Sequence, residues 1–163
     1  MSDGGRGAVT ATAGSPVPDR VAPPRPRPEI TLDNRFFWEG VDRHQLLVQR
    51  CRQCGHERHP PSPRCPACLC DGWEAVPYPL EAVVYSFTVV HRPAAAGFEP
   101  PYVVALLEWP SGVRFLTDLR GTEPADVAIG MPVTLRFEEV APGYTLPVAY
   151  PAPGGSGGEG TGG

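Results

Sequence analysis

The sequence has no long apolar run. A membrane-spanning helix needs roughly 20 consecutive apolar residues, and nothing in the 163-residue chain approaches that length. Residues 1–29 also lack the continuous apolar region of about 7 to 15 residues that a secretory signal requires. We therefore expect a soluble protein that does not contact membranes and that resides in the cytoplasm, where cysteines stay reduced.

The sequence also lacks an excess of positive charge. It has no lysine, so all 14 basic residues are arginines, and 18 acidic residues give a net charge of −4. An acidic balance disfavours non-specific nucleic-acid binding. We attribute the missing lysine to genomic composition rather than to function.

Recognisable catalytic motifs are missing as well. The chain contains no G-x-S-x-G, H-E-x-x-H, Walker or dinucleotide-binding pattern. The remaining polar candidates are Glu81, Tyr85, His91, Glu108 and Asp118, and none of them has an evident partner nearby in the sequence. Tyr85 is predicted to be a core residue and Asp118 a surface residue. We therefore predict no catalytic residue and no enzymatic activity for this chain alone.

Proline and glycine, in contrast, are abundant, with 22 and 19 residues, and many lie near the two ends. This composition predicts a disordered linker at 1–29 and a disordered tail at 152–163. Between them we predict a helical arm at 30–45, a metal-binding ribbon at 46–75 and a β-barrel at 76–151.

The segment Leu32–His44 is predicted to be a short helix, with Asp33 or Asn34 accepting hydrogen bonds from its first free amides. Phe37, Val41 and His44 recur at helical spacing and define an apolar face. Phe36 and Trp38 lie on other faces, which indicates a second surface nearby.

Period-2 alternation of apolar residues predicts a run of short strands. In the first of them, Val83, Tyr85, Phe87 and Val89 are expected to face inward. Three further strands and a short fifth are predicted at 102–109, 113–119, 133–139 and 144–148. Five strands, with a helical turn at Glu123–Ile129 between the third and fourth, are typical of an OB-type barrel, and an SH3-like barrel is the alternative. The fold class is therefore mostly β.

The longest loop of this barrel, His91–Pro101, joins its first two strands. Loops of this length are often functional, and in OB folds this loop borders the ligand face. His91, Arg92 and Phe98 are therefore candidates for lining a ligand site or channel.

Four cysteines form two C-x-x-C pairs, Cys51/Cys54 and Cys65/Cys68. Two such turns supply the four sulfur ligands of a tetrahedral Zn²⁺ site, and four thiolates leave no position open for catalysis. A redox function is the alternative, but it would need an accessible pair at a helix start. We therefore predict a structural zinc site, in which Cys70 is a half-buried bystander.

Arg50, Arg52, Arg58 and Arg64 surround these cysteines. Arginine binds phosphate through its planar fork, so these residues are candidates for contacting a phosphorylated ligand or an acidic partner. Solvated charge around the zinc site is an equally good interpretation.

Several blocks of the sequence together resemble a known family. They are FFWEG, LLVQRCRQCG, RHPPSPRCPAC, VYSFTVVHRP, GFEPPYVVALLE and IGMPVTLRFEE. In this combination and order they are similar to the zinc-ribbon plus OB-fold family known as domain of unknown function 35. Leu69, where a glycine is usual, and the extra Cys70 depart from the family pattern.

This resemblance implies an N-terminal helical arm, a rubredoxin-like zinc ribbon and a small OB barrel. It implies that Cys51, Cys54, Cys65 and Cys68 bind the metal and that Phe36, Phe37 and Trp38 dock a partner. That partner would be a thiolase-like aldolase or acyltransferase of the lipid-transfer-protein type acting on acyl-CoA, as in steroid side-chain degradation. Some members follow a MaoC-like enoyl-CoA hydratase in the same chain. A separate ligand-binding module, for acyl-CoA or less favourably single-stranded nucleic acid, is the alternative.

Overall fold

One helix and eight strands make up the described part of the chain. The computed structural model describes residues 25–92 and 97–153. In chain order the elements are α1 (Arg35–Asp42), β1 (Leu47–Cys51), β2 (Glu57–Arg58), β3 (Trp73–Pro77), β4 (Glu81–Val90), β5 (Tyr102–Glu108), β6 (Arg114–Leu119), a 3-10 turn (Pro124–Asp126), β7 (Pro132–Ala141) and β8 (Tyr144–Pro151). Among these residues, no helix has the length and hydropathy needed to cross a membrane.

Helix α1 is shorter than the sequence predicts. Phe37 and Val41 are buried as expected, but His44 lies beyond the helix at φ 57° and is exposed. Asn34 does not cap the helix with its side chain. Its Oδ1 instead accepts a hydrogen bond from the Thr31 amide at 2.8 Å, so it stabilises the turn that leads into the helix.

The ribbon contains a three-stranded antiparallel sheet in the order β2-β1-β3. Weak alternation over 46–50 predicts the central strand, β1, and the two outer strands are not predicted. The outer strand β2 has two residues, too few to show any periodicity.

The five remaining strands form a closed barrel in the order β4-β5-β6-β8-β7. Neighbouring strands are antiparallel except β6 and β8, which pair in parallel through Leu119 and Ala149. This topology, with the third and fifth barrel strands adjacent, is that of an OB fold and confirms the predicted fold class. The predicted helical segment before β7 is a single 3-10 turn.

The inward face predicted for β4 is wrong over its first half. Val83 and Tyr85 are exposed, by 40% and 41%, whereas Val84 is fully buried. A β-bulge between Val84 and Ser86 adds one residue to the strand. Because side chains alternate with period 2, the extra residue reverses the two faces. Phe87, after the bulge, packs against the core as predicted.

Arm, ribbon and barrel share one hydrophobic cluster. It contains Phe37 and Val41 from α1, Val48 and Val76 from the ribbon, and the inward residues of the barrel. The three parts therefore share one core, in which helix α1 contacts both β1 of the ribbon and β8 of the barrel.

Candidate functional site

The four predicted ligand cysteines converge at one end of the ribbon. Their Sγ atoms all lie within 4.8 Å of one another, and the Cys51–Cys68 and Cys54–Cys65 distances are both 3.6 Å. Four sulfurs bound tetrahedrally at about 2.3 Å from Zn²⁺ would lie about 3.8 Å apart. The arrangement therefore fits a structural zinc ion held by four thiolates.

The two C-x-x-C turns, which we call knuckles, have the same backbone pattern. In the first, the Gly55 amide donates to the Cys51 carbonyl at 2.9 Å; in the second, the Leu69 amide donates to the Cys65 carbonyl at 2.8 Å. Gly55 and Leu69 both have positive φ, 73° and 61°. The missing glycine therefore leaves the second knuckle intact, with a leucine in the left-handed conformation.

In the first knuckle the pKa of Cys51 is lowered and that of Cys54 is raised. The Cys54 amide donates to the Cys51 sulfur, and this hydrogen bond is the main reason that the pKa of Cys51 falls to about 6. A thiolate is the form that binds zinc. Cys70 lies outside the four-sulfur group and is half-buried. Its carbonyl accepts a hydrogen bond from the Cys65 amide.

The three aromatic residues of the arm lie in different environments. Phe37 is 4% exposed, with its ring centroid 5.8 Å from that of Phe115 in the barrel. Phe36 contacts Trp73 of the ribbon at 4.8 Å and is half-buried, as is Trp38. Only Phe36 and Trp38 of this trio therefore offer aromatic surface to a partner.

The four ribbon arginines do not form one basic face. Arg58 is buried and donates from Nη2 to the Ser62 carbonyl at 3.1 Å. Arg50 forms an ion pair with Glu57 at 2.7 Å, whereas Arg52 and Arg64 are exposed. The sequence does not predict the buried position of Arg58, whose neighbours Glu57 and His59 are both half-buried.

A cavity of about 590 Å³ lies where the arm, the ribbon and the barrel meet. Phe37 and Trp38 line it from the arm, and His59 from the ribbon. The barrel side of the cavity consists of Phe98, Phe115, Leu116, Thr117, Asp118, Leu146, Pro147 and Val148, and the rest of the wall comes from Arg25, Thr31, Asp33, Asn34, Pro60 and Pro61. This volume lies within the range of small-molecule sites. One signal in the sequence points to this cavity, since Leu116 is a large apolar residue at an outward position of its strand.

The structure separates the three candidate residues of the long loop. Phe98 lines the cavity, with its ring 5.1 Å from that of Tyr102. His91 and Arg92 are exposed and are not among the residues lining it. Residues 93–96 of this loop lie outside the described part of the chain.

The polar candidates for catalysis are dispersed. Glu108 forms an ion pair with Arg114 at 2.9 Å, and the Arg114 guanidinium lies 3.5 Å from the Tyr85 ring. Asp118, near the other end of β6 from Arg114, is paired with Arg25 and Arg120. Glu81 and His91 are exposed at opposite ends of β4. Within the described residues these groups do not assemble into one site.

Two family models match consecutive parts of the chain. Residues 38–74 match the model described as ChsH2, rubredoxin-like zinc ribbon domain. Residues 75–138 match the model described as ChsH2, C-terminal OB-fold domain. Together they cover the ribbon and most of the barrel.

Curated relatives fall into two groups. The chain is 46% identical over 128 residues to a probable enoyl-CoA hydratase alpha subunit of Thermomonospora curvata, covering 78% of this chain and 40% of the relative. It is 44% identical over 135 residues to the 3-oxo-4,17-pregnadiene-20-carboxyl-CoA hydratase alpha subunit of Mycobacterium tuberculosis, covering 77% and 41%. The chain thus spans about two fifths of these relatives. A DUF35 domain-containing scaffold protein of Methanocaldococcus jannaschii is 32% identical, with 63% of this chain and 75% of the relative covered.

Solved structures show the same fold. A chain of the "Ltp2-ChsH2(DUF35) aldolase" matches with a TM-score of 0.72 and 45% identity, covering 77% of this chain and 98% of that chain. A DUF35-family protein from Sulfolobus solfataricus matches with a TM-score of 0.52 at 18% identity, covering 74% of this chain and 86% of that chain.

Proposed function

Because the chain belongs to the ChsH2-type DUF35 family of zinc-ribbon and OB-fold proteins, we propose that it is a non-catalytic accessory subunit of a thiolase-like aldolase. One observation carries this proposal: the match to the chain of the Ltp2-ChsH2(DUF35) aldolase, which this chain covers over 98% of its length. The substrate of that partner would be an acyl-CoA, and the name of the mycobacterial relative supports a steroid-derived acyl group.

The arm and the cavity rim supply the surface for this partner. Ile30, Leu32 and Leu116 are large apolar residues that are 58%, 83% and 63% exposed. Trp38 of the arm is half-buried and lines the cavity. Exposed apolar surface of this kind favours a protein interface. Zinc would hold the ribbon in place and take no part in the partner's chemistry, because its four thiolate ligands close the site.

Two of the relatives are named as hydratase alpha subunits, and this chain covers only about two fifths of each. We include in the proposal that the chain corresponds to the part of such an alpha subunit that follows a MaoC-like hydratase domain, whether fused to it or associated with it. A cytoplasmic location also belongs to the proposal, since thiolates that bind zinc must stay reduced.

The test is co-purification with a thiolase-like aldolase from the same host, followed by an aldolase assay of the complex. Trp38→Ala and Leu116→Ser should each weaken complex formation at least about tenfold while zinc content stays at one ion per chain. Ile129→Ser is the matched control, because Ile129 is 73% exposed and does not line the cavity. Phe37 is unsuitable for this test, since its removal would disrupt the core.

The opposite results would contradict the proposal. Unchanged association of both variants would exclude the cavity rim as the docking surface. Failure of the wild-type chain to bind any thiolase-like protein of its host would remove the accessory role itself.

The cavity supports a second candidate function, direct binding of the acyl part of an acyl-CoA. Its volume of about 590 Å³ and its mostly apolar lining suit such a ligand. Calorimetric titration of the isolated chain with an acyl-CoA separates the two functions, because an accessory subunit that only docks would give no heat of binding.

A further inference from the structure

The segment Arg25-Pro26-Arg27-Pro28, which we call the strap, lies against the barrel before helix α1 begins. Its composition places it in the predicted linker, yet both arginines contact barrel loops that are distant in the sequence. Each contact joins residues separated by 72 to 118 positions. These are tertiary contacts rather than local turns.

Arg25 occupies a half-enclosed position on the barrel. Its Nη1 lies 2.5 Å from Asp118 Oδ2, and the two side chains are only 17% and 15% exposed. Its Nε donates to the Gly97 carbonyl at 3.3 Å, and its guanidinium lies 4.2 Å from the centre of the Phe98 ring. One arginine thus combines an ion pair, a backbone hydrogen bond and a cation–π contact.

Arg27 makes a matching set of contacts at the β7–β8 turn. Its Nη2 and Nη1 donate to the carbonyls of Pro142 and Gly143 at 2.9 and 3.2 Å. Its guanidinium lies 5.2 Å from the centre of the Tyr144 ring. The Tyr144 hydroxyl in turn donates to the Pro26 carbonyl at 3.1 Å. The barrel therefore contacts backbone and side chain of the strap.

Gly97 permits this close approach. It has a φ of 81°, and a Cβ at this position would lie 2.6 Å from the backbone nitrogen of Arg25. Any other residue would push the strap away from the barrel. Both the conformation and the contact distance therefore require glycine here.

The two prolines make docking of the strap less costly. Proline fixes φ and favours an extended backbone, so less conformational entropy is lost on binding. Recognition of proline-rich segments by aromatic surfaces relies on this effect. In this case the rings of Phe98 and Tyr144 contact the two arginines of the strap, and the Tyr144 hydroxyl contacts the Pro26 carbonyl.

We propose that the barrel surface formed by Gly97, Phe98, Asp118, Pro142, Gly143 and Tyr144 is a recognition site for an extended arginine–proline peptide, and that residues 25–28 of this chain occupy it. The strap forms part of two cavities, because Arg25 and Asp118 line both the 590 Å³ cavity and a neighbouring one of about 520 Å³. A ligand or partner that enters either cavity meets the strap as a wall.

The test uses the full chain and a fluorescent synthetic peptide, PRPRPEI, which has the sequence of residues 24–30. In the wild-type chain the strap occupies the site and competes with the peptide. In the Arg25→Gln/Arg27→Gln double variant the site is vacant, and the peptide should bind at least about tenfold more tightly by fluorescence anisotropy. That ratio corresponds to a strap that is docked for nine-tenths of the time or more.

Matched controls separate recognition from general charge effects. Arg35→Gln/Arg43→Gln removes the same charge at exposed positions around helix α1 and should bind the peptide as weakly as the wild type. Adding Asp118→Asn to the double variant should weaken peptide binding about tenfold. The peptide PQPQPEI should not bind to either chain.

Three results would overturn the proposal. They are equal peptide affinity of the wild type and the strap double variant, no measurable binding to that variant, and equal binding of PRPRPEI and PQPQPEI. Zinc content and far-ultraviolet circular dichroism of each variant show that it is folded when the affinity is measured.

Discussion

His59 is held between aromatic rings in the wall of the large cavity. Its ring centroid lies 5.0 Å from that of Phe37 and 5.0 Å from that of Phe115. Its Nδ1 is buried, with no hydrogen-bond partner among the described residues. Burial in these surroundings lowers the pKa of His59 to about 4. The folded protein therefore holds a neutral imidazole at pH values where an unfolded chain carries a charged one.

This depressed pKa predicts a loss of stability in mild acid. Between about pH 6.5 and pH 4 the unfolded state binds a proton on this residue and the folded state does not, so the free energy of unfolding falls as the pH falls. The full contribution of His59 to the free energy of unfolding should be present above about pH 6.5. At pH 5 that contribution should be lower by about 2 kcal/mol.

Urea unfolding at pH 7.5 and pH 5 measures this effect. His59→Gln should be less stable than the wild type at pH 7.5 but should lose less stability on acidification. His91→Gln, which removes an exposed imidazole, is the matched control. If the His59→Gln and wild-type chains lose the same free energy between the two pH values, His59 is not held neutral in the fold.

At the scale of the element, the second knuckle contains a leucine in a conformation that glycine adopts more easily. Leu69 has a φ of 61° and its side chain is 70% exposed, so little packing compensates for the backbone strain. The left-handed conformation costs a residue with a Cβ about 1 to 2 kcal/mol. Gly55 fills the equivalent position in the first knuckle without that cost.

Leu69→Gly should therefore stabilise the protein. We expect a gain of about 1 kcal/mol in the free energy of unfolding, since the relief of strain exceeds the entropy that glycine adds to the unfolded chain. Leu69→Ala is the control, because it removes the exposed side chain but keeps the Cβ and should change the stability little. Chemical denaturation of the zinc-loaded proteins measures both. A Leu69→Gly variant that is less stable than the wild type would show that the leucine side chain stabilises the knuckle.

The strands show which features of the fold can be predicted from the periodicity of apolar residues. Alternation correctly located all five barrel strands, because a half-buried strand leaves a period-2 signature over four or more residues. It gave the wrong face for Val83 and Tyr85, since the bulge before Ser86 has no signature in the alternation itself. The two-residue strand β2 and the cavity were also missed, because both depend on contacts between distant segments.

At the scale of the whole molecule, the ribbon and the barrel are energetically linked. The sequence predicts the four zinc ligands from their spacing alone. It does not show that Val48 and Val76 of the ribbon join the same buried cluster as Phe37 and the inward residues of the barrel. That cluster joins the ribbon, the arm and the OB fold in one packed core. Loss of the metal should therefore lower the stability of the barrel as well as that of the ribbon.

Removal of zinc should therefore destabilise more than the ribbon. Structural zinc contributes roughly 10 to 16 kcal/mol of apparent binding free energy, which is comparable to the usual stability of a whole domain. We expect a strong chelator to unfold the ribbon and the arm and to expose the barrel surface that they cover. Amide hydrogen exchange of β6, whose Phe115 contacts Phe37 and His59, should then accelerate at least about tenfold, and Cys54→Ser should have the same effect without chelator. Cys70→Ser, outside the four-sulfur group, should keep one zinc per chain and the slow exchange of the wild type. If β6 exchanges at the same rate with and without zinc, the shared cluster does not couple the ribbon to the barrel, and the OB fold is stable by itself.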